Sequence, residues 1–69
     1  MNEECLVLQH YETKDTVVFI HAINEDGDEI YTYANNVVML ALNYDTYRDM
    51  IDYYFDTLQY ECIMTTKKA

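Results

Sequence analysis

Four aspartates, Asp45, Asp49, Asp52 and Asp56, recur at steps of four, three and four within the run DTYRDMIDYYFDTLQ, residues 45–59. On a helix those steps stack the carboxylates in one stripe, each about 5–6 Å from the next. Such a stripe can hold a cation, work as paired acid and base, or offer charge to a basic partner. It also repels itself, at about 0.2–0.5 kcal/mol per pair, and only Arg48 lies nearby to offset it. Tyr47, Met50, Ile51, Tyr54, Phe55 and Leu58 fall at the i, i+3, i+4 and i+7 positions of a second, apolar face.

The remaining candidates for chemistry read as structural. His21 sits within an apolar run, TVVFIHAI, and is expected as a packed core histidine. His10 has no second ligand at metal spacing. Cys5 and Cys62 stand far apart with no C-x-x-C and are expected as buried or half-buried thiols. The segment NEDGDE (24–29) has acid for calcium but neither the twelve-residue register nor the closing glutamate of an EF-hand loop. Serine is absent from the chain. Expected, then, are no catalytic residues, no metal and no cofactor.

The elements that must position the acidic stripe follow from periodicity. Residues 16–23 are β-branched, aromatic and apolar on both faces. Val17, Phe19, His21 and Ile23 point one way and Val18, Ile20 and Ala22 the other, which predicts a central strand covered twice. One cover is the helix, and the other is an N-terminal arm or a second subunit. Asn24-Glu25-Asp26-Gly27-Asp28 carries the only glycine and predicts a hairpin, with Glu29 to Ala34 as the returning strand. Cys5 to Tyr11 reads as a weak strand or extended arm. NVVMLALN reads as a short helical lead-in, although a strand fits the same run. Asn43 or Asp45 then caps the main helix, and Tyr60 to Thr66 is the last strand. The fold class is α+β: one small antiparallel sheet and one main helix in a single domain, residues 1–69, with 1–4 and 67–69 frayed.

Composition sets the partners. The chain has 69 residues, 51% of them hydrophobic, too many for a disordered acidic tail and enough to suggest a homodimer. Thirteen acidic residues against four basic ones give a formal charge of −9. That field repels nucleic acid and anionic membranes and attracts basic protein surfaces. The acidic start, Met1-Asn2-Glu3-Glu4, does not resemble a signal peptide, so a cytoplasmic protein is expected.

Eight tyrosines are many for this length. Tyr44, Tyr47, Tyr53, Tyr54 and Tyr60 crowd the helix and its exit. Tyrosine gives broad, rigid contact area with one hydroxyl, which suits interfaces. The plainer reading puts Tyr47, Tyr54 and Phe55 in the core and leaves Tyr44 and Tyr53 in water. Acid around exposed aromatic groups is also what imitation of DNA requires, with carboxylates in place of phosphates.

The stretches DTVVFIHAINEDGDEIYTYA (15–34) and DMIDYYFDTLQYECIMTTKK (49–68) resemble the short uracil-DNA glycosylase inhibitor family of small protein-primed phages. The hairpin NEDGDEIYTY carries most of the similarity, and Asp49, Tyr54 and Thr57 carry it in the helix. The resemblance implies a dimer with joined sheets, whose paired helices form an apolar pocket ringed by acid. That pocket would take the leucine wedge with which the glycosylase flips uracil. Tyr54 matches the family's pocket tyrosine. Met50 stands where the family has phenylalanine, and Ile51 where it has acid, its charge moved to Asp49 or Asp52. The expected protein-binding residues are therefore Tyr47, Asp49, Met50, Ile51, Asp52, Tyr54, Phe55 and Asp56. The expected function is a non-enzymatic DNA mimic blocking a host uracil-DNA glycosylase. The alternatives are an acidic inhibitor of a CRISPR effector or restriction enzyme, and a small regulatory interaction dimer.

Overall fold

The computed structural model describes residues 2–68. Within them the chain runs β1 (Asn2–His10), β2 (Thr16–Ile23), β3 (Glu29–Ala34), β4 (Met39–Leu42), α1 (Tyr44–Asp56) and β5 (Tyr60–Lys68). The strands form one antiparallel sheet in the order β4-β3-β2-β1-β5. This is the expected α+β arrangement of one sheet and one helix, with β2 at its centre.

Local chemistry sets the turns. Asn24 accepts the Gly27 N–H on its carbonyl at 3.0 Å, and its Oδ1 takes the N–H groups of Asp26 and Asp28 at 3.0 and 2.9 Å. Gly27 then takes φ +83°, the left-handed conformation that closes a three-residue hairpin loop. The carboxylates of this loop therefore surround an asparagine-organised turn. Asn43 caps α1, its Oδ1 accepting from the Thr46 N–H at 2.8 Å. At the other end Thr57 and Leu58 both donate to the Tyr53 carbonyl, and Gln59 turns the chain into β5 at φ +59°.

Three expectations are corrected. Residues 39–42 form a strand and not a helical lead-in. Asn35 organises the approach, its Oδ1 accepting from the Val37 and Val38 N–H groups at 2.8 and 2.9 Å, which returns the chain antiparallel to β3. Residues 2–4, 67 and 68 are paired in strands and not frayed. Glu3 and Glu4 pair with Lys68 and Lys67 in the β1–β5 backbone register, and Glu4 and Lys67 form a cross-strand ion pair at 3.9 Å; Met1 and Ala69 of the same expectation lie outside the described residues. Finally, the N-terminal arm does not cover β2 but pairs beside it as β1, so within the chain the helix packs on one face of β2 and no element of the described residues packs on the other.

The core lies between α1 and that face. Among the described residues its buried side chains are Leu8, Val17, Phe19, Tyr33, Tyr47 and Ile51, with Leu8 and Phe19 fully enclosed. Rings dominate it. Phe19 meets Tyr33, Tyr47 and Tyr54 at centroid distances of 5.4, 5.8 and 5.6 Å. Tilted and edge-on pairs like these add about 0.5–1.5 kcal/mol each beyond area burial.

Candidate functional site

The register of α1 on the sheet fixes what it shows to solvent. At its start Tyr44 and Tyr47 lie against Tyr31, at 5.4 and 4.9 Å between ring centroids. Towards its end Tyr54 packs on Tyr60 of β5 at 4.8 Å. The helix thus crosses the sheet obliquely from β3 to β5 with Tyr47, Ile51 and Tyr54 inward. At 100° per residue, Asp45, Asp49, Asp52 and Asp56 occupy about 60° of arc opposite that inward stripe. All four are exposed. Exposed Tyr53 borders the ridge on one flank, and exposed Phe55 and Arg48 on the other.

Charge on this ridge works against the helix towards its end. Asp45 sits in the first turn, where the helix dipole favours it, but Asp56 closes the helix and the last turn holds no basic residue. Arg48 makes no ion pair among the described residues. The ion pairs found there are His21–Glu29 at 3.1 Å and Lys67–Glu4 at 3.9 Å.

Oblique crossing leaves a corner of the sheet bare beside the Arg48 flank. It forms a groove of about 560 Å³. Leu6 and Ile51 lie among its lining, with walls from Tyr31, Tyr44 and Tyr47 and polar groups from Arg48, His21, Glu4 and Lys67. The volume falls within the ordinary range of ligand clefts. His21 stacks flat on Tyr31, centroids 4.7 Å apart and planes 6° from parallel, and donates from Nε2 to Glu29. It is half-buried at the groove, and the expected core position is corrected accordingly. Cys5 is half-buried as expected, but Cys62 is exposed. A smaller cleft on the opposite flank is lined by Val17, Tyr33, Asn35, Tyr54 and Tyr60.

Phenols around these clefts resist ionisation. Burial raises the pKa of Tyr47, with Glu4 adding to it, and burial followed by Glu29 raises that of Tyr31. Tyr54 rises furthest, through burial and its hydrogen bond to Tyr33. All three stay neutral at ordinary pH and offer hydrogen bonds beside apolar surface.

The expected binding residues therefore divide. Asp49, Asp52, Asp56 and Phe55 are exposed on the outer helix. Phe55 is thus outside the core position that the plainer reading gave it, whereas Tyr47 and Tyr54 pack against Phe19 as that reading had them. Tyr47 and Ile51 are buried yet line the larger groove, and Tyr54 lines the smaller one. Met50 is half-buried against the core and lines neither. Sequence reasoning missed Tyr31, Tyr44, Arg48 and Lys67 as neighbours, because only the helix's oblique path brings α1, β3 and β5 to one cleft. Among the described residues no cluster of three or more histidine, cysteine or acidic side chains could hold a metal ion, and no helix is long and apolar enough to cross a membrane. Comparison of the chain with protein-family models, curated proteins and solved structures finds no match in any of the three.

Proposed function

We propose that this chain is a DNA-mimicking protein inhibitor, a non-enzymatic homodimer that acts in the cytoplasm of a host cell and occupies the cationic DNA groove of a host uracil-DNA glycosylase. The observation that carries this reading is the exposed ridge Asp45–Asp49–Asp52–Asp56, set opposite the buried stripe. Packing does not require it, and the repulsion within it and its clash with the dipole at Asp56 both cost stability. Its four charges span about 16 Å of helix, where one strand of DNA carries about five phosphates at ~3.4 Å per nucleotide. Helix and strand therefore present comparable charge to a groove built for DNA.

The tyrosine-walled groove beside the ridge supplies the second half of the mimicry. Enzymes that flip a base push an apolar side chain into the duplex and spend unstacking energy doing so. A preformed cleft with Leu6 and Ile51 in its lining accepts such a wedge without that cost. Ridge and cleft then divide the work: charge speeds encounter, and burial of the wedge slows release.

Titration into a uracil-excision assay with a bacterial uracil-DNA glycosylase and uracil-containing duplex tests this directly. The expected result is loss of excision near one inhibitor dimer per enzyme, a complex that survives a sizing column, and an association rate that falls with salt. Full excision at large inhibitor excess removes this target. Inhibition indifferent to ionic strength removes the mimicry.

A further inference from the structure

The sheet face away from α1 is uncharged across its central width. One apolar row, Met64–Val7–Val18–Ala34–Met39, crosses all five strands in the observed register, and the next row, Thr66–Cys5–Ile20–Thr32–Ala41, is apolar but for two threonines. Neither row contains a charged residue. Charge appears only beyond them, where Glu3 faces Ala22 and Glu61 faces Gln9. An antiparallel sheet with one wet face ordinarily alternates apolar and polar residues along its strands. Val18, Ile20 and Ala22 break that rule on the strand at the centre of the sheet.

We propose that this face is covered by the same face of a second copy, so that two sheets pack into a sandwich with a helix on each outer side. The proposal gives the homodimer of the functional reading an interface, one that sets the two helices apart and not together as the resemblance implied, and it is independent of the target. Charge selects the occupant. Each copy carries −9, so the helix ridge and the acidic hairpin repel another copy, while the two central rows do not. A basic partner would find no counter-charge in those rows.

Area and core size agree with pairing. Five strands about 4.8 Å apart, with four residues in β4 and about six in each of the others at ~3.3 Å, give a face of roughly 440 Å² in projection, of which the two uncharged rows are about two thirds and the row from Glu3 through Ala22 to Ile30 the rest. Two copies together then remove about 900 Å² in projection and more over a pleated surface, at the lower edge of a specific interface. Six buried hydrophobic side chains among the described residues make a small core for one chain, and a second layer encloses the other side of β2 as well. The edges are poorer meeting places. β4 is four residues long, and β5 carries a bulge between its pairings with Val7 and Leu8 and ends in two lysines.

The two free cysteines report on this in the unmodified protein. Cys5 lies on the proposed interface, and Cys62, paired with Leu8, lies exposed towards the helix side. Maleimide labelling is followed by mass spectrometry over a concentration series, beside sedimentation analysis of oligomeric state. The Cys5 rate is expected to fall about tenfold once roughly nine-tenths of the chain is paired, because only the unpaired chain reacts, while the Cys62 rate holds. Added salt is expected to tighten the pairing, since it screens the mutual repulsion. Ile20→Glu is expected to leave a monomer with intact near-ultraviolet dichroism; if that variant fails to fold, the Cys5 rate decides alone. A chain monomeric at every concentration overturns the proposal, as does a dimer whose Cys5 reacts as fast as in the monomer. A monomer that still blocks uracil excision refutes the pairing and spares the target, and a dimer that does not block it does the reverse.

Discussion

Tyr33 of β3 and Tyr54 of α1 meet hydroxyl to hydroxyl at 2.9 Å, and Asn35 Nδ2 donates to the Tyr33 oxygen at 2.9 Å. The Tyr33 oxygen thus holds both groups, and donation to it from the Tyr54 hydroxyl accords with the raised Tyr54 pKa. One part-buried polar relay therefore joins the β3–β4 loop, the sheet and the helix.

That relay predicts a measurable coupling. Tyr54→Phe removes one hydroxyl and is expected to cost about 1 kcal/mol in urea unfolding. Tyr33→Phe costs somewhat more, about 1–2 kcal/mol, because it removes both bonds and leaves the half-buried Tyr54 hydroxyl without its partner, while exposed Asn35 turns to water. The double variant should cost less than the two singles together, by about 1 kcal/mol. Strict additivity would mean that the two hydroxyls do not stabilise one another. Tyr54→Phe should leave inhibition of uracil excision unchanged, since the ring that lines the smaller cleft remains.

Alkali provides the second test. Tyr31, Tyr47, Tyr54 and Tyr60 all have pKa values raised in the folded state, burial being the first cause for each. A group whose folded pKa exceeds its unfolded value binds its proton more tightly when folded. Its stabilisation is complete below the unfolded tyrosine pKa, about 10, and is lost as pH rises through the folded value. Stability should therefore hold up to about pH 10 and decline above it. Phenolate absorbance near 295 nm should then rise in two phases, the later one coinciding with loss of the near-ultraviolet dichroic signal. A single phase complete before unfolding would show these phenols to be freely solvated.

How much of this was legible in the sequence depends on the range of the interaction. The hairpin, a cap at Asn43 or Asp45, the helix and its acid stripe, and the placing of Tyr31 and Tyr33 on one strand face are local patterns, readable from spacing. Residues 39–42 were not readable, because a seven-residue apolar run fits helix and strand alike and only pairing with β3 decides. The chain ends looked polar and loose, yet Glu3 and Glu4 lie opposite Lys68 and Lys67, a match some 60 residues apart. The groove was hidden for the same reason. Its residues come from β1, β2, β3, α1 and β5, and no periodicity encodes the oblique angle that gathers them.

Gln59 carries the third prediction. It holds φ +59° at the exit from α1, a conformation that costs a residue with a side chain about 1–2 kcal/mol and glycine almost nothing. Gln59→Gly gives back part of that gain through its more flexible unfolded chain. The net expectation is about 0.5–1 kcal/mol of added stability, or roughly 3–6 °C in Tm for a domain of this size. An unchanged or lower Tm would show that the Gln59 side chain offsets its own strain.

The ridge itself gives the last prediction, in which stability and function move oppositely. Asp56 closes α1 at the negative end of its dipole, with Asp52 one turn and Asp49 two turns before it on the same ridge. Neutralising all three as Asp49→Asn, Asp52→Asn and Asp56→Asn relieves repulsion and the dipole clash, so the variant should unfold about 0.5–1 kcal/mol later than the parent. Its association with the glycosylase should slow by about tenfold or more, with a shallower dependence on salt, because steering scales with the charge facing the groove. Phe55→Ala should act on the other step: Phe55 is 38% exposed and outside the core cluster, so folding should lose about 1 kcal/mol while the complex dissociates faster. A triple variant that is more stable and associates as fast as the parent would mean that these carboxylates only keep the helix solvated, and that any inhibition proceeds through another surface.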